Sequence, residues 1–471
     1  MMLSRVTGCV ALLLFLTTAA TAQSPPGEAP ALGTDRITQA DITGGGLTLQ
    51  EVRAAGLKIF ATPFNKLDGY GDGPVDPFDP TGFGHRPTLQ GNGTFLRING
   101  LDSQNCMECH SVGSNAVVPF RFAVGGVGGS NNNAMFMPTE VDVDDSFNNG
   151  FAFFNGRYIN PPFLFGSGGI ELLGKEMTAD LQLLKAQAAA NPGVPVDLVT
   201  KGVDFGEITY DAGARSFDTT KVEGVDADLV VRPFGRKGDN ATVRQFDLDA
   251  LQFHLGMQPV EVVGQGIDED DDGVVDEILV GEVSALHIFN TNLERPIMDE
   301  LTEQIVFGKR LFDTIGCMEC HRSELRTNTR TLTYSFPEVH TDPLANVFYA
   351  ADLAASPAGF DTYGPGGGTG LKVPLFSDLK RHDMGPGLAE SFGSELDSEF
   401  ITARLWGVAD TAPYLHDGRA TTLTEAIGWH DGEARAARDN WDALTDDRKE
   451  AVLSFLRALR TPLTPAADLL P

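Results

Sequence analysis

Residues 105–113 read NCMECHSVG and residues 316–324 read GCMECHRSE. Each contains Cys-x-x-Cys-His, with the same Met-Glu inside: Cys106, Cys109 and His110 in the first copy, Cys317, Cys320 and His321 in the second. In this spacing both thiols form thioethers to a porphyrin while the adjacent histidine ligates its iron, so the pattern predicts two covalently attached c-type haems. A redox dithiol or a zinc half-site leaves the histidine after the second cysteine, present in both copies, without a purpose.

Covalent haem attachment requires export, and the amino terminus provides for it. Residues 1–23, MMLSRVTGCVALLLFLTTAATAQ, supply Arg5, an apolar run from Val10 to Leu16 and the small-x-small site Ala20-Thr21-Ala22. A signal peptide over 1–22, cleaved after Ala22, is therefore expected, with a periplasmic mature protein. The apolar run is too short for a membrane span, and no later run is long enough. Cys9 precedes the apolar core, so the four remaining cysteines all belong to the haem motifs and no structural disulfide is expected. With 65 acidic against 35 basic residues the chain is strongly acidic, which argues against nucleic acid as a partner.

The sequence around each motif predicts a mainly α fold with long irregular loops and a few short strands. Ahead of the second motif, TEQIVFGKRLFDTIG places Ile305, Phe312 and Ile315 on one stripe, with Val306 and Gly308 beside it. Ahead of the first, TLQEVRAAGLKIF pairs Thr48 with Glu51 as a capping box, followed by Val52, Gly56 and Ile59 at helical spacing. A Gly/Pro/Asp-rich insertion after Asn65 then delays the first haem motif. Near the carboxyl terminus, Val452, Phe455, Leu456 and Leu459 form a stripe that packs across the helix before the second haem, with Pro462 as its stop. DADLVVRPF and DEILVGEV read as short strands, VGGVGGSNNNAMF and GPGGGTG as loops. A boundary near 290–296 divides an amino-terminal haem domain, 23–290, from a carboxyl-terminal one, 291–471.

Histidine fills one axial position of each iron; what fills the other decides between electron transfer and chemistry. The residues offer Met257, with His254 close by, and Met384, with His382 close by. Separately, Asp268, Asp270 and Asp272 alternate before Gly273 as in the first half of an EF-hand loop, but Leu279 stands where the bidentate glutamate belongs. The acidic stretch 268–277 is expected to bind Ca2+ with help from Asp276 and the Val274 carbonyl. His416, Asp417 and Arg419 have no nucleophile placed beside them and read as haem-pocket wall.

The haem motifs, together with VPLFSDLKRHDMGPGLAE and RLWGVADTAPYLHDGRATTLTEAIGWHDGEA, resemble the di-haem oxidoreductase family once called thiol oxidoreductases. That family lies within the superfamily of bacterial di-haem cytochrome c peroxidases and the di-haem enzymes that mature tryptophan-derived quinones. The resemblance covers most of the mature chain and is strongest from Glu303 onward. It implies two cytochrome c-like domains, one haem storing an electron and one meeting hydrogen peroxide, a small donor protein such as a cytochrome c or cupredoxin, and a homodimer. Leu415 stands where the peroxidases place a methionine ligand, which leaves Met384 as the favoured sixth ligand of the second haem and Tyr414 as the alternative. The segment FLFGSGGIELLGKEM resembles the one carrying the distal acid, pointing to Glu171 ahead of Glu176. The bridging tryptophan of relatives has no counterpart in position, since Trp406, Trp429 and Trp441 all lie late in the chain. Two further readings stay open: oxidation of a protein or organic substrate through high-valent iron, and a pure electron-transfer cytochrome.

Overall fold

The computed structural model describes residues 28–71, 104–112, 135–142, 153–364, 368–392 and 395–469. The leader, most of the insertion after Asn65, most of VGGVGGSNNNAMF and part of GPGGGTG lie outside the described residues. Ten α-helices and sixteen short strands occur among those described. Strands are thus more numerous than the sequence led us to expect, and every pairing is antiparallel in sheets of two or three.

The first helical group holds α1 (Gln39–Thr43), α2 (Leu49–Ala61), α3 (Ser167–Ala190), α4 (Val243–Leu255), α5 (Val260–Val263) and α6 (Val280–Thr291). The expected capping box of α2 is present: Thr48 Oγ1 accepts from Glu51 N at 3.3 Å while the Glu51 carboxylate accepts from Thr48 N at 2.7 Å. Val52, Gly56, Ile59 and Phe60 are its buried face, and that face packs on α6. The contact is close because Gly56 has no side chain. A Cβ there would lie 2.2 Å from the Ala285 carbonyl oxygen and 2.5 Å from the Phe289 Cβ.

The second group holds α7 (Glu303–Thr314), α8 (Leu423–Gly428), α9 (Arg435–Asp442) and α10 (Asp446–Arg457). Here α7 crosses α10, as the two apolar stripes predict. A Cβ on Gly308 would lie 1.8 Å from the Ala451 carbonyl oxygen. The two crossings follow one plan: glycine on the helix before the haem motif, alanine on the crossing helix, and a phenylalanine four residues beyond each. Phe60 meets Phe289 with ring centroids 5.5 Å apart, and Phe312 meets Phe455 at 5.4 Å. Such tilted aromatic pairs contribute roughly 0.5–1.5 kcal/mol beyond the area they bury.

A third core is built on α3. Ile170, Leu173, Met177 and Leu181 of α3 pack with Val196, Leu198 and Phe205 of a hairpin, and with Leu332, Leu353, Leu371 and Trp406 from the later part of the chain. DEILVGEV is not a strand: it leads into α6, whose residues are buried on every side, so its continuous apolarity reflects all-round burial rather than a sheet. DADLVVRPF is irregular apart from an isolated bridge between Phe234 and Asn240. At the end of the chain, α10 stops at Arg457, before Pro462, and Leu459–Arg460 pairs with Ile297–Met298. No helix among the described residues is long and apolar enough to cross a membrane.

Candidate haem-binding and proton-handling site

Each Cys-x-x-Cys-His segment forms one tight turn. His110 N donates to the Cys106 carbonyl at 2.8 Å and His321 N to the Cys317 carbonyl at 3.0 Å. This bond, spanning four residues, folds both thiols and the imidazole into one short segment, as attachment to a single porphyrin demands. No disulfide joins the four motif cysteines. Burial pushes the Cys106 and Cys317 thiols up to about 12, so they are neutral.

The histidines sit against the phenylalanines of the helix crossings. Phe60 and His110 have ring centroids 6.5 Å apart at 48°, and Phe312 and His321 6.1 Å apart at 45°. Each copy therefore presents the same Phe-Phe-His column. Burial lowers both imidazoles to about 4, with His254 adding to the effect on His110 and His430 to that on His321. A neutral imidazole is the form that ligates metal. His321 Nδ1 lies 3.0 Å from the Phe376 carbonyl, a bond that protonates Nδ1 and frees Nε2. These features fit a haem at each motif, which when bound supplies one-electron and peroxide chemistry that no side chain here can perform.

Among the other candidates, Met257 is fully buried in the apolar cluster holding Phe60, Phe64, Val112 and Phe289, against which Cys106 packs. Met384 lies just beyond a short strand, its N donating to the Ser398 carbonyl at 2.9 Å. Neighbouring His382 is bound from both ring nitrogens, Nε2 at 2.9 Å from Asp378 and Nδ1 at 2.7 Å from Glu433. Tyr414 exchanges backbone bonds with Ala420, closing a loop in which His416 stacks on Phe400 at 4.6 Å. Arg419 is held by Asp417 and the Gly387 carbonyl, with its guanidinium 4.8 Å from the Trp429 ring centroid.

The ring facing His321 belongs to a residue the sequence reading passed over. His430, two residues beyond α8, has its ring centroid 6.4 Å from that of His321, with the planes at 53°. Its Nδ1 lies 2.9 Å from the Ala426 carbonyl. The signal was available in GWHDGEA, a histidine just past a capped helix in the segment that resembles the family most.

Glu171 lies on the second turn of α3 and is fully buried. Its Oε2 accepts from Val243 N at 2.9 Å and lies 2.8 Å from His287 Nε2; Oε1 is 2.7 Å from Lys175 Nζ. Burial alone would raise this carboxyl, but His287 and Lys175 outweigh it and hold it well below the usual range. Glu338, half-buried, completes a Glu-His-Glu group. His287 shares α6 with Phe289, so Glu171 stands behind the helix that walls the first column. Glu176 instead secures a loop, accepting from Asn328 N at 2.6 Å and Thr329 N at 3.0 Å and pairing with Lys201.

Sequence reading missed a second acid, Asp247 on α4. Its carboxyl accepts from Asn290 Nδ2 at 2.8 Å and is pushed well above the ordinary range, by burial first and by Glu171 among its neighbours. Its charge acts on Cys106, which places it near the first attachment site. Trp406 is buried at the junction of the two groups: its ring would lie 2.8 Å from a Cβ on Gly166, which follows Phe165 of the first cluster, while Leu405 packs in the second.

In the acidic loop, carboxylate oxygens of Asp268, Asp270 and Asp272 gather within 4.8 Å of one another. Asp268 also accepts from Asp272 N at 3.1 Å and Gly273 N at 3.0 Å. Asp276 is drawn elsewhere, Oδ1 accepting from Gly266 N at 2.7 Å and its carbonyl from Arg36.

Comparison with known proteins agrees with this chemistry. Residues 369–459 match the family described as "Di-haem oxidoreductase, putative peroxidase". The cytochrome-c peroxidase IdrP2 of Denitromonas iodatirespirans is 26% identical over 263 residues, which span 53% of this chain and 66% of the relative. Two solved structures share weaker likeness: a Kuenenia stuttgartiensis hydrazine synthase (18% identity, TM-score 0.29, 55% of this chain and 78% of that one) and a MauG-like protein associated with microbial copper homeostasis (13%, 0.30, 64% and 92%). The chain is thus similar to oxidoreductases of the di-haem and cytochrome-c peroxidase kinds. The family match is confined to residues 369–459, and the likeness to the curated peroxidase extends over about half of this chain.

Proposed function

We propose that the chain is an exported, periplasmic di-haem c peroxidase, with haem domains at 23–290 and 291–471, that reduces hydrogen peroxide to water with electrons from a small donor protein. The observation that carries this reading is the duplicated cradle, Gly56-Phe60-His110-Phe289 in one half and Gly308-Phe312-His321-Phe455 in the other. Peroxide takes two electrons, whereas a small redox protein delivers one at a time. Two equivalent cradles in one chain suit collection of electrons singly and their use as a pair.

The chain's own residues then have separable tasks. Cys106, Cys109, Cys317 and Cys320 fix the two cofactors, and His110 and His321 hold them from one side. Cleaving an O–O bond needs a group that takes the proton from one oxygen and returns it to the leaving one. Glu171 is our candidate for that role, supported by its burial, the hydrogen-bonded His287 and its electrostatic link to Asp247. The test is whether peroxide reoxidises half-reduced protein.

We also propose that the loop carrying Asp268, Asp270, Asp272, Val274 and Asp276 binds Ca2+. The three gathered carboxylates support it, and the ion would screen their repulsion. The loop runs into α6 through Glu277 and Ile278, so bound Ca2+ steadies the helix that closes the first cradle. Removing Ca2+ with a chelator should lower the melting temperature by several degrees, and added Ca2+, not Mg2+, should restore it. An unchanged melting curve in chelator removes the ion from the account.

A further inference from the structure

We infer that His430 is the second axial ligand of the iron carried at Cys317-Cys320-His321, making that centre bis-histidine. The inference rests on the reading of this motif as a haem site and goes beyond it by saying what closes the iron.

The spacing of the two rings fits two imidazoles sharing one metal. Metal–imidazole bonds of about 2 Å on each side put the two ring centroids about 6 Å apart when both rings point their nitrogens at the ion. The His321 and His430 centroids are 6.4 Å apart.

The tautomers agree as well. Nδ1 of His321 lies 3.0 Å from the Phe376 carbonyl and Nδ1 of His430 lies 2.9 Å from the Ala426 carbonyl. A carbonyl can only accept, so each Nδ1 carries the proton and each Nε2 keeps its lone pair. Metal-ligating histidines are held in this way, the second nitrogen tied to a carbonyl so that ring orientation and basicity are set before metal arrives.

His430 is also positioned by a rigid support. Thr422 and Glu425 cap α8, with Glu425 N donating to Thr422 Oγ1 at 3.2 Å and Thr422 N to the Glu425 carboxylate at 3.0 Å. His430 N donates to the Ile427 carbonyl at 3.1 Å, so the residue continues the last turn. Met384 and Tyr414, the ligands favoured from sequence, have no comparable contact with His321 among the described interactions.

One consequence concerns the division of labour. An iron held by two imidazoles has no position for peroxide, so the second centre passes electrons and the first is left to meet the oxidant. Imidazole in place of methionine also keeps the potential lower, which makes the second centre a stronger reductant toward the first.

The experiment is low-temperature EPR and absorption spectroscopy of the ferric full-length mature protein, with haem counted by pyridine haemochrome. His430→Gly is expected to keep two haems per chain, to lose one low-spin signal in favour of high-spin, and to regain low-spin on adding imidazole. His430→Met should stay low-spin and raise the midpoint potential of that centre, which separates ligation from mere packing and gives a reading if the glycine variant folds poorly. Met384→Ala should leave the spectra as in the wild type. Two attached haems with an unchanged low-spin spectrum in His430→Gly, or a lost signal in Met384→Ala, overturns the ligand assignment alone. A wild-type chain with fewer than two haems overturns the haem reading and the assignment with it.

Discussion

Replacing Glu171 by glutamine should lower peroxide turnover by a factor of about 10²–10⁴ while both haems remain attached, the range expected when a positioned proton-transfer group is lost. Glutamine preserves the shape and the acceptor for Val243 N but cannot carry a proton between oxygens, and it leaves Lys175 and His287 without their shared carboxylate. Stability responds too. A carboxyl whose folded pKa is depressed contributes stability above its unfolded pKa, and that contribution is lost as pH falls through the folded value. The wild type should therefore lose stability on acidification by more than Glu171→Gln does.

Asp247→Asn is the companion variant. Burial raises Asp247, so ionising it costs stability as pH climbs from the ordinary carboxylate range toward the folded pKa. Asparagine removes that cost, and its melting temperature at neutral pH should equal or exceed the wild type. If turnover collapses in Asp247→Asn and survives in Glu171→Gln, the proton belongs to Asp247 and the role given to Glu171 is wrong.

The second large effect concerns the helix crossings. Within a helix, glycine to alanine is favourable by about 1 kcal/mol on backbone grounds. At Gly56 and Gly308 the sign should reverse, because the new Cβ would lie 2.2 Å and 1.8 Å from the facing carbonyl oxygens, with no flexible side chain to yield. Forcing the helices apart costs about 1–3 kcal/mol for overpacking and disturbs the Phe-Phe-His column below. Gly56→Ala and Gly308→Ala should each lower the denaturation midpoint, with Gly308→Ala the larger effect. Equal or greater stability in either variant would mean the crossing is looser than described.

The sequence made some of this arrangement legible and hid the rest, for physical reasons. Motif spacing announced the haems, and the amphipathic stripes of α2, α7 and α10 announced three of the four crossing helices, because each keeps a solvent face. The fourth, α6, was read as strand at its start; buried all round, it has no polar face to set a period. Its approach and first turn carry β-prone Ile278, Val280 and Val283, and only the Glu282 carboxylate accepting from Leu279 N at 2.7 Å marks the helix start. His430 and Asp247 escaped notice because their meaning is tertiary. Each lies far in sequence from the haem motif it serves, and neither belongs to a motif of its own. Glu171 was found, but its partners His287, Glu338 and Asp247 come from three distant segments, so the network around it could not be read from spacing.

The central claim is that two centres in one chain collect electrons singly and spend them together on peroxide. Its most direct test is rapid mixing of the mature protein, reduced by one electron and then by two, with stoichiometric hydrogen peroxide, followed by absorption and EPR. The account predicts that the first centre is or becomes high-spin, that peroxide returns the reduced protein to the ferric state within seconds, and that two electrons disappear per peroxide. Two low-spin haems indifferent to peroxide would contradict it, and the chain would then be an electron carrier.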